Sequence, residues 1–243
     1  MLKAFDADGH VDEWEGTFSD EYLEPAFREQ RPVVVDADPQ GTYFTWNIPG
    51  RGLWRVGSSP SSKGGVNSQE NIRLAEWRGT LESGEFRSAA ARSELLDVEN
   101  TEIQVNYPTL FLYHPTTLDI PLNQALTRAY NNWISDISNQ EPERYKWVTV
   151  VDVHDPKEAA KEIFRQKKWG LWVLWFTVCM EQEPLMMIFL HLYGVLRKRH
   201  NYRLPFILVG LPLMYIMPIP IMVLHSSICL FYWAFVILWP RVY

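Results

Sequence analysis

Thr101-Glu102-Ile103-Gln104-Val105-Asn106-Tyr107 and Tyr145-Lys146-Trp147-Val148-Thr149-Val150-Val151-Asp152-Val153 decide the fold. The first alternates in the period of a strand with one covered face. The second is a nearly continuous apolar run, as in a strand buried on both faces. Between them Leu122, Ala125, Leu126, Ala129, Trp133 and Ile137 recur at helical spacing, which predicts a helix over 121–137, ended by the acidic, proline-containing 139–144. After the second strand, Asp155-Pro156-Lys157-Glu158 reads as an N-cap, a proline at the first helical position and an acidic first turn. The helix it opens carries Ala159, Ala160, Ile163 and Phe164 and ends in a basic turn, Lys167-Lys168, before Gly170. Strand, helix, strand, helix in this order predicts an α/β fold with a parallel sheet.

Toward the N-terminus, the segment from Trp14 to Arg31 is acidic and aromatic, and Ser19-Asp20-Glu21 offers a helix start. Residues 33–35 and 43–46 read as short strands around the turn-former Asp38-Pro39-Gln40-Gly41. The glycine- and serine-rich 57–65 lacks the spacing of a phosphate-binding loop and reads as a plain flexible loop. Helical character returns around 89–96. At the start of the chain an apolar segment (Met1, Leu2, Ala4, Phe5) runs into Asp8 and His10. On a strand these point the same way and offer a carboxylate and an imidazole to one small volume, a suitable pair for zinc, manganese or iron. The alternative is that Asp-Gly-His is only the turn after a strand. Asp12 and Glu13 read as surface acids, or as partners that orient His10.

The net charge of −6 argues against a nucleic-acid partner, which usually leaves a basic footprint. That average hides a division. Residues 1–169 hold 18 basic and 27 acidic side chains, whereas 170–243 hold 5 and 2. Both cysteines, Cys179 and Cys229, fall in the second part, which suggests no disulfide framework and makes an intracellular origin the expectation. Acidic residues close behind Met1 argue against a signal peptide.

Residues 1–169 resemble the N-terminal half of the amidohydrolase-related family, metal-dependent (β/α)8 hydrolases and decarboxylases. The resemblance rests on an ordered set: 7–11 around Asp8-Gly9-His10, then 21–28, 102–109, 129–133, Pro142-Glu143-Arg144, Asp155-Pro156 and 159–163. It implies the N-terminal half of a TIM-type barrel, with Asp8 and His10 as first-strand ligands of a divalent metal, zinc or manganese. It implies a small carboxylated or cyclic organic substrate, a cytoplasmic location, and it admits a homo-oligomer. Tyr107 and His154 follow the second and third strands, where this fold builds its active site. Their alternatives are a packed tyrosine and a solvated loop histidine beside Asp155. His114 reads as solvated, Trp14, Trp46 and Trp54 as packing or a pocket wall, and Asn131 and Trp133 as holding their helix to the barrel. The family's second-half His-x-Gly-Trp strand end and late aspartate have no counterpart among His191, His200 and His225 or after Asp155. A truncated, impaired enzyme is therefore expected.

Beyond Gly170 the composition changes to Leu, Ile, Met, Phe and Trp without a helical or strand period. Residues 204–240 carry no charge apart from a proton on His225, and Arg197-Lys198-Arg199 precedes them as a basic flank. That is long enough to cross a bilayer, with 221–239 the better span. The alternative function is thus a membrane-anchored binding protein that catalyses nothing. A shifted reading frame accounts for the same features. Met has a single codon, so joining the third base of each codon to the first two of the next turns Met186-Met187-Ile188 into consecutive aspartates. With permitted third bases, the same shift turns 170–175 into Ala-Val-Gly-Val-Met and the segment from Tyr202 to Pro212 into one containing His-Ile-Gly-Trp. The expectation is a partial barrel over 1–169 and an out-of-frame tail over 170–243.

Overall fold

The computed structural model describes residues 3–36, 44–54, 81–113, 116–152, 154–168, 173–179, 206–210 and 231–237. The chain opens with β1 (Ala4–His10), passes through 3-10 turns at Glu15–Phe18 and Pro25–Gln30, and enters β2 (Val33–Asp36), β3 (Phe44–Ile48) and β4 (Gly52–Trp54). After a helical turn at Leu81–Gly84 come α1 (Ala89–Val98), β5 (Thr101–Tyr107), a 3-10 turn at Leu110–Tyr113, and α2 (Ile120–Ser138). Then follow β6 (Tyr145–Val150), α3 (Pro156–Lys167), β7 (Val173–Cys179), β8 (Phe206–Gly210) and β9 (Phe231–Ile237).

The main sheet has the order β1-β5-β6-β7-β9-β8. The first three pairings, β1 with β5, β5 with β6 and β6 with β7, are parallel, as the alternation of strands and helices demands. That is the strand order of the first half of a (β/α)8 barrel. Past β7 the order departs from a barrel: β9 pairs antiparallel with β7, and β8 antiparallel with β9. The described strands form an α/β sheet with a parallel half; they do not form a closed barrel. A separate antiparallel sheet, β2-β3-β4, is inserted between β1 and β5.

Each crossover helix starts on a side-chain cap. Ser88 Oγ accepts from the Ala91 amide at 3.2 Å, and Asp119 Oδ1 from Leu122 at 3.1 Å. Asp155 Oδ1 accepts from Lys157 and Glu158 at 3.0 and 3.2 Å. Such caps contribute about 1 kcal/mol each. The apolar stripe of α2 is buried as its spacing predicts, with Leu122, Ala125, Leu126, Ala129, Tyr130, Trp133, Ile134 and Ile137 in the core. At about 1.5–3 kcal/mol per large apolar side chain, this face holds the helix on the sheet. Asn131 adds a polar clamp: its amide exchanges bonds with the amide and carbonyl of Val150 at 3.0 and 2.8 Å and donates to Glu162 at 2.7 Å.

Several expectations need correction. β6 stops at Val150, short of residue 153, because Asn131 occupies the Val150 backbone and Asp152 turns the chain toward α3. No helix grows from Ser19-Asp20-Glu21. Its carbonyl takes a single turn of bonds from Tyr22 and Leu23, and Pro25, which lacks an amide hydrogen, begins a separate turn. The tail contains strands where no period was legible, because a strand apolar on both faces has none. Residues 231–237, Phe-Tyr-Trp-Ala-Phe-Val-Ile, are rich in strand formers and lie in β9, so the 221–239 span is not a continuous helix. Among the described residues no helix is long and apolar enough to cross a membrane.

Candidate functional site

Parallel pairing brings the ends of β1 and β5 to one mouth of the sheet, His10 lying opposite Tyr107. β1 does not run straight to that point. Between Asp6 and Gly9 its register slips, and Gly9 is buried against the Gln104 side chain. A Cβ at residue 9 would stand 2.5 Å from Gln104 Cγ and Cδ, so only glycine fits. Gln104 is itself held. Its Nε2 donates to Asp6 Oδ2 at 2.6 Å, and its Oε1 accepts from Arg92 Nε at 2.9 Å. The buried Arg92 also donates to the carbonyls of Ser83 and His10, each at 2.9 Å. The Asp-Gly-His end of β1 is thus fixed by a guanidinium from α1.

On this support Asp8 and His10 do face one another, with His10 Nε2 3.8 Å from Asp8 Oδ1. His10 Nδ1 lies 3.2 Å from the carbonyl of Pro108, which can only accept. Nδ1 therefore carries the hydrogen, and the Nε2 lone pair is left on the side of Asp8. A histidine tethered to a carbonyl through one nitrogen and open at the other has the arrangement of a metal ligand. The Asp8 side chain is 88% exposed and that of His10 39%. Among the described residues no group of three or more His, Cys, Asp or Glu side chains converges as a metal site. The donor set fits a divalent ion chemically, but as a two-ligand fragment.

Tyr107 is half-buried, its ring centroid 5.9 Å from that of His10. Burial, aided by the charge of Asp8, pushes its hydroxyl up to about 12. The group is a proton-bearing donor near neutral pH.

His154 departs from the expectation of a solvated loop residue. Its Nδ1 is 2.6 Å from Oδ1 of Asp152, a carboxylate almost fully buried. That bond, outweighing partial burial, raises its pKa above the ordinary histidine value. His154 stands at the same mouth as His10 but apart from it. β5 separates β6 from β1, a gap of about 10 Å at ordinary strand spacing. Trp147 lies level with Asn106, so Asp152 is further along the strand direction than Tyr107.

Glu13, expected at the surface, is buried beneath this mouth. Its carboxyl accepts from the Leu110 amide at 2.6 Å and the Thr109 amide at 3.2 Å, capping the turn at Leu110–Tyr113. Desolvation dominates these bonds and pushes its pKa up to about 8. The sequence carried no warning of this beyond the apolar Val11 and Trp14 around it. Trp46 is in the core, and Trp14 and Trp54 pack against it. His114, His191, His200, His225 and Cys229 lie outside the described residues; Cys179 ends β7.

No family model matches this chain, and no curated protein matches it. Among solved structures it is similar to an amidohydrolase from Mycobacterium avium subsp. paratuberculosis K-10, with a TM-score of 0.52 and 17% identity. The match covers 70% of this chain and 47% of that one, so the chain spans about half the length of the amidohydrolase it matches. At this identity the likeness is one of fold, and the α/β architecture with its parallel sheet is amidohydrolase-like.

Proposed function

We propose that residues 1–169 are the N-terminal part of an amidohydrolase-related, metal-dependent hydrolase or decarboxylase for a small carboxylated or cyclic substrate, and that residues 170–243 are read out of frame. The observation that carries the first half is the orientation of His10, with Nδ1 on the Pro108 carbonyl and Nε2 facing Asp8 at 3.8 Å. Asp8 and His10 are the ligands this chain would offer zinc or manganese, which when bound polarises a substrate carbonyl or carboxylate or activates a water. Arg92 and Gln104 hold the ligand strand in place. Tyr107, protonated and beside His10, is placed to donate to a substrate oxygen. His154 stands at the same mouth as a further polar lining group. A closed site takes about four ligands, so two hold a metal weakly. Metal analysis of the full chain, native and His10→Ala, tests this. Sub-stoichiometric metal that disappears with His10→Ala is expected; tight stoichiometric metal that survives the substitution overturns the assignment.

A further inference from the structure

We propose that Asp152 and His154 form a proton-relay pair at the mouth of the sheet, with Asn123 and Asp152 as positioning residues and His154 Nε2 as the acid–base atom. The assignment follows from the hydrogen bonds in sequence. Asn123 Oδ1 accepts from two backbone amides, Thr116 at 2.8 Å and Thr117 at 3.4 Å, and amides can only donate. The orientation of the Asn123 amide is thereby settled, and its Nδ2 must be the group that meets Asp152 Oδ2 at 2.6 Å. Asp152 Oδ1 in turn accepts from the His154 amide at 2.9 Å. Both carboxylate oxygens are therefore held as acceptors by obligatory donors. The remaining short contact, Nδ1 of His154 at 2.6 Å from Oδ1, is made with the hydrogen on Nδ1.

Two consequences follow. Neutral His154 is the Nδ1–H tautomer, so its basic lone pair resides on Nε2. When Nε2 takes a proton from a water or a substrate hydroxyl, the imidazolium stands against a buried carboxylate that balances its charge, and the proton can be returned from the same atom. The ring retains contact with solvent, 23% of the side chain being exposed, whereas the Asp152 side chain is 2% exposed. A merely structural role needs less. The bond from the His154 amide to Asp152 already closes the turn into α3, and it requires no imidazole at residue 154. Arg128 of α2 and Glu158 and Glu162 of α3 line a cleft with Asp152. The titration of His154 is nonetheless governed first by Asp152.

The reaction this pair would serve rests on the proposed hydrolase or decarboxylase reading; the pair itself does not, so its test is independent of metal and turnover. The soluble fraction of full-length protein, labelled with 15N at histidine, is titrated by NMR, with His154→Gln identifying the resonance. The expected result is a titration midpoint above about 6.5, the ordinary histidine value, a neutral form with hydrogen-bearing Nδ1 and lone-pair Nε2, and acylation by diethyl pyrocarbonate at Nε2. Asp152→Asn should shift the midpoint downward and mix the tautomers. Should Asp152→Asn unfold the chain, Asn123→Ala, which leaves the carboxylate in place, should produce a smaller downward shift. A neutral form with the hydrogen on Nε2, or an Nε2 that resists acylation when neutral, overturns the proposal. Loss of metal binding with the tautomer intact would instead count against the reading of Asp8 and His10.

Discussion

Residues 1–169 and the tail from 170 onward obey different rules. In the first region each level of organisation agrees with the next: Asp155 caps α3, Pro156 starts it, the apolar stripe of α2 is the face that is buried, and Asn131 finds both backbone groups of Val150. In the second region the composition has lost the residues that make such devices. No aspartate follows Asp155, Thr177 is the lone threonine after Gly170, and the charge reverses from −9 to +3. β7, β8 and β9 do form there, from segments rich in aromatic and β-branched residues, and β9 leaves the parallel order. Consistency across levels marks a sequence selected for its fold. Its weakening beyond residue 169 supports the proposed change of reading frame.

The largest effect that would break this comparison lies in the gene. Codons for 170–243, read in the shifted frame, should be free of stops and should encode His-x-Gly-Trp at the segment from Tyr202 to Pro212; a stop codon, or other codons there, ends the frameshift reading. At the protein level, full-length chain should be recovered mainly as aggregate, with most of the insolubility absent from a 1–169 fragment, because the apolar tail, which carries no Lys, Arg, Asp or Glu over 204–240, promotes association. A monodisperse full-length monomer in plain buffer would contradict this.

Trp133→Ala measures whether the first region has a specific core. The side chain is 2% exposed, so the substitution should cost about 3–5 kcal/mol in denaturant unfolding; a change below about 1 kcal/mol would mean a loosely packed interior. Glu13 gives the pH dependence. Its folded-state pKa, about 8, lies above the 4.5 of an ordinary glutamate. The folded chain therefore binds the extra proton between those values, so its contribution is fully present below about 4.5 and is lost as pH rises through about 8. Stability should fall over that window by an amount on the order of a few kcal/mol, and Glu13→Gln should flatten the slope; an unchanged slope would refute the role. Last, Gly9→Ala should cost about 1–3 kcal/mol through overpacking against Gln104, and Gln104→Ala should relieve part of that penalty in the double variant. Additive losses would show that the 2.5 Å approach is absorbed elsewhere.

The sequence by itself determined the elements whose signals are local. The alternation of 101–107, the spacing from Leu122 to Ile137 and the cap at Asp155 each act over one turn or one strand, and each is present where it was legible. The pairing of Asp8 with His10 was legible for the same reason, a two-residue strand repeat. Tertiary structure decided everything that depends on partners far along the chain. Glu13 is buried because amides of residues 109 and 110 close over it, and Gly9 is required because Gln104 fills the space of its side chain. His154 becomes an oriented imidazole because Asn123, fixed by the backbone at 116 and 117, holds Asp152 in place. A carboxylate or histidine reads alike on the surface and in a buried network. Its burial, its tautomer and the direction of its titration are set by the groups that folding brings against it.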